Sequence, residues 1–209
     1  IYQNQIPEHS VDLIITSPPY GDSRTTVAYG QFSRLSSQWL GLLDSPDSIT
    51  DIDKQLLGGM THNIHLEDPI LQQSVTLKNT FYAFQYQIQK EYTSDIQKKI
   101  LLRAKDVLSF YKDLDSTIRN AGKYLKRNKY FVLVTGSRTV KDIKLHTDII
   151  IAELAENYGF SLESIFYRKS IPNKRMPHKV SPSNIAGETA PTMTKESIVI
   201  LKKTTPYST

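Results

Sequence analysis

Apolar and polar positions along this chain alternate between two regimes. Short apolar runs rich in β-branched residues occur at 11–16 (VDLIIT) and 130–135 (YFVLVT). Neither alternates cleanly, as expected of parallel strands covered by helices on both faces, so both are assigned to the middle of a sheet. Two more runs, 161–168 (SLESIFYR) and 197–202 (SIVILK), also read as strands. Between the first two strands the period changes to that of a helix. Ile96, Ile100, Leu101, Ala104, Leu108, Tyr111, Leu114, Ile118 and Ala121 recur at spacings of three and four. Ser94 and Gln97 are spaced for a capping box, and Lys123, Lys126 and Arg127 complement the carbonyl end of the dipole. Asn128 suits the left-handed conformation that stops a helix. A second helix is expected over 147–158, with Ile150, Ile151 and Leu154 apolar and Gly159 just past its end.

Strand, long helix, strand in that order makes an α/β fold with a right-handed crossover. The span 41–92 lacks a comparable pattern: TFYAFQYQIQKEY within it is amphipathic but fits helix or strand equally, so the span is read as an insertion. One domain accounts for the 209 residues, divided into 1–40, the insertion 41–92, and a helix–strand–helix–strand–strand unit over 93–209. LLGGM at 56–60 reads as a turn, and His62 and His65 (HNIH) lack a third ligand, so no metal site is expected.

The chemistry concentrates after the first strand, at Ser17, Pro18, Pro19 and Tyr20. In an open α/β sheet, ligands bind beyond the carboxyl ends of the parallel strands. Two prolines fix their own φ and hold the preceding residues extended, so the corner projects rigidly. It carries carbonyl acceptors, a hydroxyl and an aromatic ring, with no N–H from either proline. Such a surface suits an exocyclic amine on a nucleobase, which offers N–H donors and a flat face on which Tyr20 can stack.

With its strand, TSPPYG resembles the catalytic motif of the amino-methylating DNA methyltransferases, which carry (Asp/Asn/Ser)-Pro-Pro-aromatic. IPEHSVDLIITSPPYGD is similar to the family's lead-in, IRNAGKYLKRNKYFVLVTGSR to its helix and next parallel strand, and ESIVILKK to its antiparallel last strand. The resemblance covers roughly 1–40 and 110–205. It implies a Rossmann-like methyltransferase sheet, here the C-terminal half with about four strands, the last antiparallel, and helices on both faces. It implies transfer of methyl from S-adenosylmethionine to a base amine in DNA, as in restriction-modification systems. Serine in the first motif position resembles the cytosine-N4 subgroup. The alternatives carried are adenine N6, a non-catalytic DNA-binding half or subunit, and an RNA or protein-glutamine methyltransferase.

The family's glycine-rich cofactor turn, Phe-x-Gly-x-Gly, is not found, and the chain opens on Ile1. We therefore expect a fragment, inactive alone, whose S-adenosylmethionine pocket lies mostly outside it, on a missing or complementary half.

The formal charge of +5 favours a polyanion only if concentrated on one face. Arg24 and Arg34, in a hydroxyl-rich stretch after the motif, are expected to contact phosphates; the competing reading packs Phe32, Leu35, Trp39 and Leu40 inward below a plain surface loop. Arg168, Lys169, Lys174, Arg175 and Lys179 lie in a connection between the last two strands and are expected to track the DNA backbone. The chain contains no cysteine and no signal-like or long apolar segment, so a bacterial or archaeal cytoplasmic protein is expected.

Overall fold

A computed structural model describes residues 6–20, 35–41, 54, 56–62, 65, 67–169, 179–180, 190–191 and 195–205, with backbone only for 179–180 and 190–191. The elements in chain order are β1 (Val11–Thr16), α1 (Ile70–Gln73), α2 (Val75–Lys90), α3 (Ser94–Tyr124), β2 (Leu125–Gly136), β3 (Arg138–Val140), β4 (Ile143–Leu145), α4 (Thr147–Glu156), β5 (Phe160–Lys169), β6 (Lys179–Val180), β7 (Ala190–Pro191) and β8 (Lys195–Lys203). The fold is mixed α/β around a four-stranded sheet in the order β1-β2-β8-β5. β1 runs parallel to β2, and β8 inserts antiparallel between β2 and β5.

Register assigns the two faces of the sheet. Ile14 pairs with Phe131, Phe131 with Leu201, and Leu133 with Val199, so these share one face. Phe131, Leu133, Val199 and Leu201 are buried in the same cluster as the apolar stripes of α2, α3 and α4. Leu13 and Ile15 point the other way and are 51% and 66% exposed. Among the described residues β1 ends the strand order rather than standing mid-sheet. Its short apolar run, which lacks clean alternation, did not distinguish these positions.

α3 carries most of the predicted stripe: Ile100, Ala104, Leu108, Tyr111, Leu114, Ile118 and Ala121 are buried. Ile96 and Leu101 are instead exposed, and Val107 and Phe110 take core positions. The capping box does not form: Thr93 occupies the N-cap without a side-chain bond, and Gln97 donates to the carbonyls of Ile88 and Glu91. Asn128 is left-handed at φ 61°, but inside β2 rather than at the helix end. It accompanies a bulge in which the partner of Val11 is Leu125 and that of Leu13 is already Tyr130. Lys123 stands in the last turn of α3 as expected, but Lys126 and Arg127, also assigned to the helix dipole, lie in β2. Lys126 and Lys129 bind Asp12 at 2.9 and 3.1 Å, and Arg127 donates to the Thr204 carbonyl. The bonds from Lys126 and Lys129 hold the Asp12 carboxyl below its ordinary value.

The ambiguous segment at 80–92 belongs to α2 up to Lys90, with Glu91 its extended C-cap; α2 buries Leu77, Thr80, Phe81 and Phe84 at helical spacing. Ser74 caps it by accepting from the Leu77 N–H at 3.0 Å. Glu153 of α4 adds its carboxylate, accepting from the Thr76 N–H at 3.0 Å, from the Thr76 hydroxyl at 2.8 Å, and from Ser74. A carboxylate at this end also meets the positive pole of the helix dipole. α4 buries Ile150, Ile151 and Leu154 as expected, and Gly159 follows it at φ 76°.

Candidate functional site at the strand ends

The corner at 17–20 lies where β1 and β2 both present their carboxyl ends, and the antiparallel β8 brings its first residues to the same edge. Pro18 is buried, Pro19 and Tyr20 are half-buried, and Ser17 is exposed. Ser17 donates its hydroxyl proton to the Val134 carbonyl of β2 at 3.2 Å. That bond fixes the Oγ and leaves its lone pairs as acceptors.

Tyr20 is held from a different strand. Its hydroxyl donates to Oε1 of Glu196 at 2.9 Å, and Oε2 of Glu196 accepts from Nε and Nη2 of Arg168 at 3.1 and 2.5 Å. Glu196 is the second residue of β8 and is 3% exposed; it stands in register with Gly136 on one side and Arg168 on the other. Burial, with the Glu196 carboxylate beside it, pushes the Tyr20 hydroxyl up, so it stays protonated and donating at neutral pH. Sequence reasoning missed Glu196. The only local signal is an acid just before an apolar run, and Tyr20 lies 176 positions away.

Deeper in the same edge, Ser197 donates to Asp148 in the first turn of α4 at 3.1 Å, both residues being buried. This bond ties β8 to α4 below the corner.

The predicted DNA-contacting residues divide. Arg168 and Lys169 end β5; Arg168 is turned to Glu196, and Lys169 pairs in register with Lys195. Lys179 starts the two-residue strand β6, with its backbone alone described. Arg24, Arg34, Lys174 and Arg175 lie outside the described residues. Leu35, Trp39 and Leu40 are 79%, 90% and 65% exposed, so the inward packing considered for them does not occur, and Phe32 lies outside the described residues.

His62 sits elsewhere, with Nε2 3.1 Å from Asp113 Oδ1 and its backbone N–H donating to Ser109. The LLGGM segment turns with Gly58 at φ 70° and a bond from the Gly59 N–H to the Leu56 carbonyl. Leu56, Leu57, Met60, His62 and Asp113 line part of an open cavity of ≈ 430 Å³ that shares no residue with the strand-end corner. Among the described residues, no group of three or more His, Asp or Glu could hold a metal, and no helix is long and apolar enough to cross a membrane.

No family model matches the chain. Over 201 residues it is 43% identical to the type II methyltransferase M.MvaI of Kocuria varians, an alignment covering 95% of this chain and 41% of that protein. The chain thus spans less than half the length of this curated relative. Among solved structures it is similar to a DNA modification methylase of Thermus thermophilus, at 16% identity and TM-score 0.44, covering 98% of this chain and 51% of that one. The same protein complexed with S-adenosyl-L-methionine gives 16% identity and TM-score 0.42, covering 98% and 50%. Both structural likenesses are coarse.

Proposed function

We propose that this chain carries the methyl-acceptor side of an S-adenosylmethionine-dependent DNA methyltransferase that modifies an exocyclic amine, cytosine N4. One observation supports this most: the Ser17-Pro18-Pro19-Tyr20 corner lies at the carboxyl end of β1, with its hydroxyl and its ring each tied to another strand. The identity to a type II methyltransferase over nearly the whole chain supports the same reading.

The chemistry follows from the acceptors. A base amine is a poor nucleophile because its lone pair is delocalised into the ring. Hydrogen bonds from its N–H groups to the Pro18 carbonyl and the Ser17 Oγ localise that pair and stabilise the positive charge that grows on nitrogen during attack. Ser17 is oriented for accepting because its own proton is engaged by Val134. The base must leave the duplex stack, at about a few kcal/mol, and stacking on Tyr20 returns roughly 1–3 kcal/mol of it.

S-adenosylmethionine supplies the methyl group when bound. The corner itself, rich in acceptors and fitted to an amine, is not a cofactor cradle, and the sequence offers no glycine turn after a strand. We assign the cofactor pocket to the part of the whole protein that this chain does not span. Arg24, Arg34, Lys169, Lys174, Arg175 and Lys179 are assigned to the DNA backbone. Arg168 joins them through the part of its guanidinium not turned to Glu196; its side chain is 49% exposed.

The test is transfer of labelled methyl by the full-length protein to DNA, RNA and protein, followed by hydrolysis of the DNA to nucleosides. Label in N4-methylcytosine supports the reading. Label in N6-methyladenine moves the substrate to the adenine subgroup, and label confined to RNA or protein overturns it.

A further inference from the structure

Tyr20 follows β1 and Glu196 lies on β8, with β2 between those two strands. For the ring to reach the carboxylate it must cross the end of β2. The β2 residue in register with Glu196 is Gly136, which puts no side chain in the way. Glu196 is 3% exposed, and a carboxylate so buried requires compensating partners. Arg168 supplies the positive charge, through two nitrogens on Oε2. The other oxygen, Oε1, accepts from the Tyr20 hydroxyl.

Two bonds to Arg168 would suffice to join β5 to β8, since these strands already pair from Phe160 to Lys169. The bond to Tyr20 does something more: it ties the far end of an aromatic ring whose backbone is fixed by two prolines. A phenol anchored at its oxygen and at its backbone has little freedom left at χ1 and χ2.

We propose that Glu196, held by Arg168, is the positioning residue for Tyr20, fixing the ring in the plane against which the target base stacks. This rests on the methyltransferase reading above. The proline corner sets where the base amine meets its acceptors, and Glu196 sets the plane of the base. Positioning of this kind acts after DNA is bound, so its loss appears in turnover rather than in affinity.

The experiment uses the full-length protein with Tyr20→Phe, Glu196→Ala, their double variant and Tyr20→Ala. Tyr20→Phe keeps the ring and removes only the anchoring hydroxyl, so it tests the bond even where Glu196→Ala unfolds the chain. Single-turnover methylation should fall about tenfold in Tyr20→Phe, the worth of a hydrogen bond to a charged group, with DNA affinity within about twofold. Glu196→Ala, where folded, should match it, and the double variant should lose no more than either single one. A 2-aminopurine at the target position, quenched by stacking on the ring, should brighten in Tyr20→Phe relative to the parent protein.

If Tyr20→Phe methylates within about twofold of the parent and quenches equally, while Tyr20→Ala is impaired, the positioning role falls and the methyltransferase reading stands. The same holds if the losses of Tyr20→Phe and Glu196→Ala multiply in the double variant. A parent protein that transfers no methyl to DNA overturns both.

Discussion

Ser17 at the end of β1 donates to the carbonyl of Val134 in β2, at 3.2 Å, so the first residue of the proline corner is tied to the neighbouring parallel strand. The exposed hydroxyl is thereby oriented, not free to rotate. In the proposed chemistry its lone pairs face the base amine. Replacing it, Ser17→Ala, should lower single-turnover methylation by the full-length protein about tenfold or more, as one acceptor for a developing charge is removed. Because the residue is exposed, urea unfolding should move little. A variant with parental methylation rates would remove Ser17 from the mechanism.

Glu153 joins two helices. It caps α2 from α4, binding Ser74 and both the backbone and hydroxyl of Thr76. Glu153→Ala leaves the first turn of α2 without this acceptor and should cost about 1–2 kcal/mol in urea denaturation. Glu153→Gln, which keeps one acceptor oxygen, should lose less.

Gly159 makes the turn from α4 into β5 at φ 76°, and a Cβ there would lie 2.5 Å from the Thr205 hydroxyl and 2.9 Å from its carbonyl oxygen. Gly159→Ala combines a strained backbone with a clash against chain that follows β8. We expect a loss of roughly 1–3 kcal/mol, read as a lower urea midpoint at unchanged slope.

The basic connection after β5 makes a different kind of prediction. Neutralising Lys169, Lys174, Arg175 and Lys179 together should weaken DNA binding across all sequences and flatten the logarithmic salt dependence by about one unit for each phosphate no longer neutralised. Fluorescence anisotropy over a salt series measures both. An unchanged slope would mean that these cations face solvent.

Local pattern sufficed for much of this molecule. The apolar runs mark β1, β2, β5 and β8, and Gly159 marks the end of α4, because burial and left-handed backbone leave traces in consecutive residues. The pattern failed where a distant partner decides. TFYAFQYQIQK (80–90) is helical once Phe81 and Phe84 pack into the core and Glu153, 77 positions from Thr76, caps the helix. Asn128 is left-handed as expected, yet it accompanies a strand bulge beside which Lys126 meets Asp12 across 114 positions. The β3–β4 hairpin turns on Lys141 and Asp142, both at positive φ without a glycine to announce it. At the site, the Ser17–Tyr20 corner is legible because prolines act on their own neighbours. Glu196 is not, since its role exists only once the sheet brings β8 beside β2.

Whether the proline corner receives a DNA base amine is decided by methyl transfer to DNA from the full-length protein and from its Tyr20→Ala variant, with the modified nucleoside identified. N4-methylcytosine is expected from the parent, and a loss of at least about tenfold from Tyr20→Ala, the worth of one base-stacking contact. Equal methylation by the two proteins, or none into DNA by the parent, would contradict the proposed function.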